Sequence, residues 1–253
     1  MSQDGMLLGT LFSGLIGAAV GSFLNVVVLR TASKEKFTHG RSKCPTCGHT
    51  LSWYELIPVI SFLGLGGRCR SCKKTLSLQY LIVETVTAAV FMAAWVTFGY
   101  VWMTPIVWVV SSAMICIALY DARWSLIPDS FTITLGIVAL GALLYQRADP
   151  LDHVVGVGIG LALFGLQYLL SRGQWIGSGD IFLGGVLGGL LGWRATLGGF
   201  ALAYILGAIF ALPLLLKKHQ AKQAIPFGPF LLLGAWVAWL WGPALWQWYL
   251  LHL

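Results

Sequence analysis

Apolar runs separated by short polar breaks dominate the chain, covering roughly residues 6–29, 77–98, 101–120, 130–146, 152–171, 180–192, 195–216 and 227–250. Most approach the ~20 residues that a helix needs to cross a hydrocarbon core. Backbone amides in lipid must be satisfied within their own segment, so these runs are predicted as helices. The pattern predicts an all-α polytopic membrane protein with about eight transmembrane helices. The sixth run is short and rich in glycine. One polar break is long, and it is predicted to be a loop domain between helices 1 and 2. The organisation expected is a first transmembrane helix at 1–29, a loop domain at 30–76 and a transmembrane core at 77–253.

Composition agrees with this pattern. Of the 253 residues, 58% are hydrophobic and 10% charged, and the mean hydropathy is +0.81. Too little polar surface exists to cover a soluble domain. The first run follows Asp4 rather than a basic segment and runs directly into Arg30, which predicts a retained anchor and not a cleaved signal peptide.

Charge then orients the helices. Nine of the 16 Lys and Arg residues fall between Arg30 and Lys74. Cytoplasmic loops retain positive charge, so this loop is expected inside. Alternation through eight spans also places Arg123, Arg172, Lys217, Lys218 and Lys222 inside, leaving Arg147 and Arg194 outside with both termini. The net charge of +7 is thus explained by topology and anionic lipid. No nucleic-acid partner is expected, since the basic loop has no recognition helix.

Within the loop, "CPTCGHT" and "GRCRSCKK" place Cys44, Cys47, Cys69 and Cys72 in two C-x2-C pairs separated by 21 residues. Such pairs form knuckles that converge on one tetrahedral ion, which predicts structural zinc. Disulfides or a redox dithiol are the other readings, and a reducing cytoplasm disfavours both. A site closed by four thiolates has no open position for a substrate. His39 and His49 read as solvated loop residues, and Cys116 as a small buried hydrophobe.

Of nine acidic residues, Asp4, Asp149 and Asp152 fall outside the membrane, and Glu35 and Glu55 in the loop. Glu84, Asp121, Asp129 and Asp180 remain, at the cytoplasmic ends of spans. An unpaired carboxylate there costs several kcal/mol, so these positions are candidates for function. Asp121 ends a span in "ALYDARWSLIPDS", and Asp180 opens the sixth in "WIGSGDIFLGG". The derived topology puts both on one side at one depth. Two carboxylates that share a proton provide an acid and a base together, enough to activate water against a peptide carbonyl. Gly177 and Gly179 would let backbone or an extended substrate come close. Equally open on residue chemistry alone, Asp121 and Asp129 cap helices or pair with Arg123, and Asp180 caps its own span. Asn25 reads as an amide that bridges helices.

These pieces together resemble the bacterial type IV prepilin leader peptidases, membrane aspartic proteases of the GxGD type that also methylate the new N-terminus of their product. The matching stretches are "GSFLNVVVLR" at 21–30, both cysteine pairs, "LSWYELIPVISFL" between them, "QYLIVE" at 79–84, "YDARWSLIPD" at 120–129, "GSGD" at 177–180 and "IPFGPFLLLGA" at 225–235. The resemblance implies cleavage of the basic leader of prepilins and pseudopilins at the cytoplasmic face of the bacterial inner membrane, then N-methylation by S-adenosylmethionine. It implies Asp121 and Asp180 as the catalytic pair and Asp129 as a residue that orients loop or substrate. It associates the zinc-bearing loop with the methyltransferase half. Glu84 then either serves the methyl-donor region or pairs with a loop arginine. Phe182 stands where many members have Lys, and Leu81 where Pro is frequent. Two other readings are weighed beside it. A presenilin-like or signal-peptide-peptidase-like protease would share "YD" and "GSGD" but lack the zinc insert. A transporter or secretion subunit would want its carboxylates staggered through the bilayer.

Overall fold

The computed structural model describes residues 3–36, 40–99, 102–146, 149–216 and 225–251. His39, Arg147, Lys217, Lys218 and Lys222 lie outside them. The described chain is almost entirely helical: α1 (Gln3–Ala32), a 3₁₀ turn (Trp53–Leu56), a short α2 (Ile60–Gly64), α3 (Gln79–Phe98), α4 (Met103–Trp124), α5 (Asp129–Gln146), α6 (Pro150–Ser171), α7 (Ser178–Leu191), α8 (Trp193–Leu216) and α9 (Gly228–Leu251). The eight long helices coincide with the eight apolar runs. By length and composition, α1, α3, α4, α6 and most of α8 can cross a membrane, while α5, α7 and α9 are shorter apolar helices. This is a multi-pass membrane protein.

Helix ends follow local chemistry. In α1, Asp4 sits in the first turn and Arg30 in the last, each complementing the helix dipole. Asp149 caps α6 by accepting the N–H of Leu151 at 3.1 Å, just ahead of Pro150. At the other end of α6, Arg172 takes a left-handed conformation that stops the helix.

The chain divides into two compact units, Met1–Cys116 and Ile117–Leu253. In the first, α1 packs along α3. The fully buried Asn25 of α1 accepts from Gln79 Nε2 of α3 at 3.2 Å and donates to Gly21 O, an interhelical bridge of the kind expected from its position. The rings of Phe91 and Trp108 stack at 4.8 Å, and the Trp108 indole donates to the Phe91 carbonyl. Cys116 is buried, as expected of a small hydrophobe.

In the second unit α7 is central, touching α5, α6, α8 and α9. Leu183 and Leu187 of α7, Phe164 of α6 and Leu231 of α9 are wholly buried. Lipid tails are as apolar as leucine, so association of these helices rests on close van der Waals approach. Two small-residue stripes provide it: a Cβ added at Gly156 would collide with the carbonyl of Gly188, and one added at Gly160 with that of Gly184. Each stripe has glycines four apart, so the backbones of α6 and α7 touch directly.

These contacts fix an expected outcome. Gly160→Leu should lower the melting midpoint of the detergent-solubilised protein by roughly 5 °C or more. Gly158→Leu, at an exposed position with open space around it, should leave the midpoint nearly unchanged. Equal shifts for the two variants would contradict this packing.

Candidate active site and metal centre

Asp121 occupies the last turn of α4 and is 6% exposed. Ser125, at φ 51°, turns the chain out of the helix while its N–H bonds the Asp121 carbonyl at 2.7 Å. Asp121 Oδ2 accepts the N–H of Gly228 at 2.9 Å, a residue 107 positions away. Gly228 opens α9, where the first amides have no partner within the helix and are therefore available to an anion. A Cβ at residue 228 would stand 2.6 Å from that carboxylate oxygen, so only glycine permits the approach.

Asp180 lies in the first turn of α7 and is 9% exposed. Its Oδ2 accepts the N–H of Gly177 at 3.0 Å, closing the start of the helix. Gly179 meets a different need, since a Cβ there would lie 3.0 Å from Ile127 Cβ. Ile127 belongs to the loop that leaves Asp121. The absence of a side chain at 179 thus lets the loop behind one aspartate rest on the turn that carries the other. Asp121 and Asp180 are near enough to act on each other electrostatically. Tyr204 is also within electrostatic range of Asp180, and its hydroxyl pairs with Gln167 at 2.6 Å.

In the first unit, the four cysteine sulfurs lie within 4.8 Å of one another. Cys44 and Cys72 are 3.9 Å apart, as are Cys47 and Cys69. Four thiolates on a tetrahedral zinc ion at about 2.3 Å stand roughly 3.8 Å apart, so the donor set fits this metal. The two knuckles repeat one backbone pattern. Gly48 donates to Cys44 O at 3.0 Å and Lys73 to Cys69 O at 2.9 Å, and both donors have positive φ. Each knuckle ends in one bridge pair, Lys43 with Thr50 and Arg68 with Thr75. The sulfurs cannot all ionise without a cation. The N–H of Cys47 brings Cys44 down to about 6. Cys47 is pushed up to about 11, because desolvation and the sulfurs of Cys72, Cys44 and Cys69 together outweigh the N–H of His49 that favours its thiolate.

One loop residue departs from its sequence reading. His49 faces a carboxylate, its Nε2 standing 3.4 Å from Glu55 Oε2. Glu55 is buried, and the N–H of Ser52 bonds the same oxygen at 2.8 Å, holding the carboxyl below its ordinary range. Glu84, also buried, accepts the N–H of Val59 at 2.7 Å.

Residues 15–98 match the family model for the bacterial peptidase A24 N-terminal domain, and residues 108–212 match the type IV leader peptidase family. The chain is 36% identical over 219 residues to the prepilin leader peptidase/N-methyltransferase of Aeromonas salmonicida, covering 83% of this chain and 74% of that one. It is 32% identical over 268 residues to the protein of that name from Pseudomonas aeruginosa, with 93% and 91% covered. Against the protein of that name from Bacillus subtilis it is 32% identical over 243 residues, with 93% and 96% covered. The chain belongs to the type IV leader peptidase family. No solved structure matches it.

In this type IV leader peptidase family member the first match lies within the first compact unit, and the second, apart from residues 108–116, within the second. Asp129 is exposed in the first turn of α5. Phe182 is exposed on α7 and lines an apolar cavity of about 500 Å³ together with His153 and Leu161. Sequence reasoning did not find Gly228 or Tyr204. The signal for Gly228 was "PFGP", a glycine at a helix start with its N–H still to place.

Cys44→Ser and Cys69→Ser should each reduce bound zinc from about one ion per chain to a small fraction. Elemental analysis of purified protein checks this. Full zinc occupancy in both variants would exclude the tetracysteine site.

Proposed function

We propose that this chain is a prepilin leader peptidase and N-methyltransferase of the bacterial inner membrane. It cleaves the leader of prepilins or pseudopilins on the cytoplasmic side and methylates the new N-terminal residue. One observation carries the peptidase half. Two buried aspartates from separate helices, 59 positions apart in the chain, lie within electrostatic range of each other, and each has one oxygen bonded by a glycine N–H. The names of the relatives and the family match support the same reading.

Asp121 and Asp180 are the catalytic pair. With Oδ2 of each engaged by Gly228 or Gly177, the carboxyls are held in orientation, and the second oxygen of each is the one to meet water or substrate. The ionised partner takes a proton from water, whose oxygen attacks the scissile carbonyl carbon while the protonated partner donates to the carbonyl oxygen. The resulting intermediate collapses as the C–N bond breaks and the leaving amine takes a proton. Neither fixed amide needs to reorganise during the reaction.

The zinc loop, residues 30–76, belongs to the methyltransferase half and faces the cytoplasm with both aspartates. Cys44, Cys47, Cys69 and Cys72 would hold the ion, whose role is structural. S-adenosylmethionine, when bound, would supply the electrophilic methyl group for the new N-terminal amine. Eight spans, with α5, α7 and α9 crossing as the shorter ones, account for the charge distribution.

The other readings fare less well. An intramembrane protease of the presenilin type has no use for a tetracysteine loop. A proton-carrying transporter wants carboxylates in series through the bilayer, whereas here the two lie within electrostatic range of each other.

Asp121→Asn and Asp180→Asn should each lower removal of the leader from a coexpressed prepilin by about 10²-fold or more, followed as a mobility shift on a gel. Gly228→Ala should cause a smaller loss, because its methyl displaces Asp121. Normal processing by both asparagine variants would overturn the assignment.

A further inference from the structure

Between the two knuckles the loop presents an apolar surface. Trp53, Ile60 and Leu63 are 76%, 68% and 63% exposed, and Leu56 and Ile57 are exposed as well. Trp53 and Leu56 stand three apart on the 3₁₀ turn, and Ile60 and Leu63 three apart on α2, so each element carries its pair on one side. Other groups turn inward: Glu55 is buried, and the ring of Phe62 lies against Gly67. Exposed apolar groups clustered in this way mark a protein or membrane contact. The height of this surface is set by Glu84. That residue lies in the second turn of α3, about 7.5 Å along the axis from Gln79, and its Oε2 accepts the N–H of Val59 at 2.7 Å. The head of α2 therefore stands beside the second turn of a helix that can cross the membrane, level with Ile82 and Val86, both exposed on that helix. Val59 has φ 62° and ψ −54°, and the Ile60 N–H closes on the Pro58 carbonyl at 2.6 Å. This is a strained γ-turn, which a β-branched residue keeps only when its surroundings hold it, and the bond to Glu84 supplies the hold. The N–H groups of Val59, Ile60, Ser61, Leu63 and Leu65 all have acceptors within the protein, as backbone needs where water is scarce.

Charge agrees with this placement. Between Leu51 and Leu78 the only acidic residue is the buried Glu55, while Arg68, Arg70, Lys73 and Lys74 are all exposed. Arg70 borders the apolar surface: its Nη1 donates to the Tyr54 hydroxyl at 2.6 Å, and its guanidinium stands 5.1 Å from the centre of that ring. Tryptophan and tyrosine beside cations are what seats a surface among lipid headgroups. We propose that Trp53–Gly64 is an interfacial anchor, which lays its exposed apolar side into the lipid leaflet beside the loop while Arg68, Arg70, Lys73 and Lys74 meet the anionic headgroups of that leaflet. The inference goes beyond the catalytic reading and needs only that α1 and α3 cross the membrane. A protein partner is the competing occupant. Lipid is favoured because the apolar surface is level with the exposed residues of α3 and continues their height outward. The anchor also accounts for "LSWYELIPVISFL", an apolar run inside the long polar break that is too short to span.

The test uses the full-length protein in lipid nanodiscs, with p-benzoylphenylalanine in place of Ile60, of Leu63 or, as a reference, of Phe12, an exposed residue of α1. After irradiation, mass spectrometry reads what each position has reached. Positions 60 and 63 should give phospholipid adducts, as position 12 does, and their yield should rise at least about twofold when phosphatidylglycerol replaces phosphatidylcholine. Adducts at 12 with none at 60 or 63 would overturn the anchor, as would crosslinks from these positions to residues 117–253 or to a coexpressed prepilin. Equal yields in the two lipids would overturn the part given to the four basic residues. Zinc content and melting midpoint report on folding of the substituted proteins. Labelling the wild-type protein with a phospholipid that carries a diazirine near its headgroup needs no substitution: label within residues 53–64 supports the anchor, and label on the membrane helices alone refutes it.

Discussion

The structure turns on how carboxylates at a membrane boundary are met by backbone amides. Burying an ionised side chain without partners costs several kcal/mol or more. A hydrogen bond to a charged group returns about 1.5–3 kcal/mol, and a helix N-terminus adds up to about 2. One amide therefore offsets only part of the cost for each aspartate. Asp121 has Gly228 at the head of α9, and Asp180 has Gly177 at the head of α7. The remainder has to come from a proton held between the two acids or from water admitted to the site.

Small residues solve two problems at once in the second unit. Along α6 and α7, glycines let backbones touch, where lipid gives no hydrophobic drive to association. At the head of α7 the same property is turned to the site. Gly179 admits Ile127 and Gly228 admits the Asp121 carboxylate, and in both places a side chain would press on the group beside it. The short α7 is thus a packing element along its length and a site element at its first turn. Its low length and high glycine content follow from those two duties.

Much of this was legible in the chain because membrane constraints are severe. The apolar runs marked the eight long helices to within a few residues, and the tetracysteine spacing foretold a cluster whose sulfurs meet a tetrahedral ion's geometry. Asn25 was read correctly because an amide in an apolar span has few alternatives to an interhelical bond. What escaped were contacts that depend on where distant segments land. The bond from Gly228 to Asp121 spans 107 positions, and nothing local to "IPFGPF" announces its acceptor. His49 read as a solvated loop residue because loop composition says nothing about which of its polar groups will meet a carboxylate such as that of Glu55. For Asp180, the capping and the functional readings were posed as rivals. The geometry satisfies both, since the oxygen that closes the helix is on the carboxyl that faces Asp121's charge.

The metal loop follows a different logic from the helices around it. Its described residues form no extended strand, only single bridge pairs at each knuckle, a 3₁₀ turn and a five-residue helix. Such a segment buries too little apolar surface to offset its ordering entropy, which runs to about 1–2 kcal/mol per residue. Zinc bound by four thiolates contributes about 10–16 kcal/mol toward folding, enough to change that balance. An ion held by Cys44, Cys47, Cys69 and Cys72 would thereby fix the position of Glu55, whose capping bond to Ser52 lies between the two knuckles.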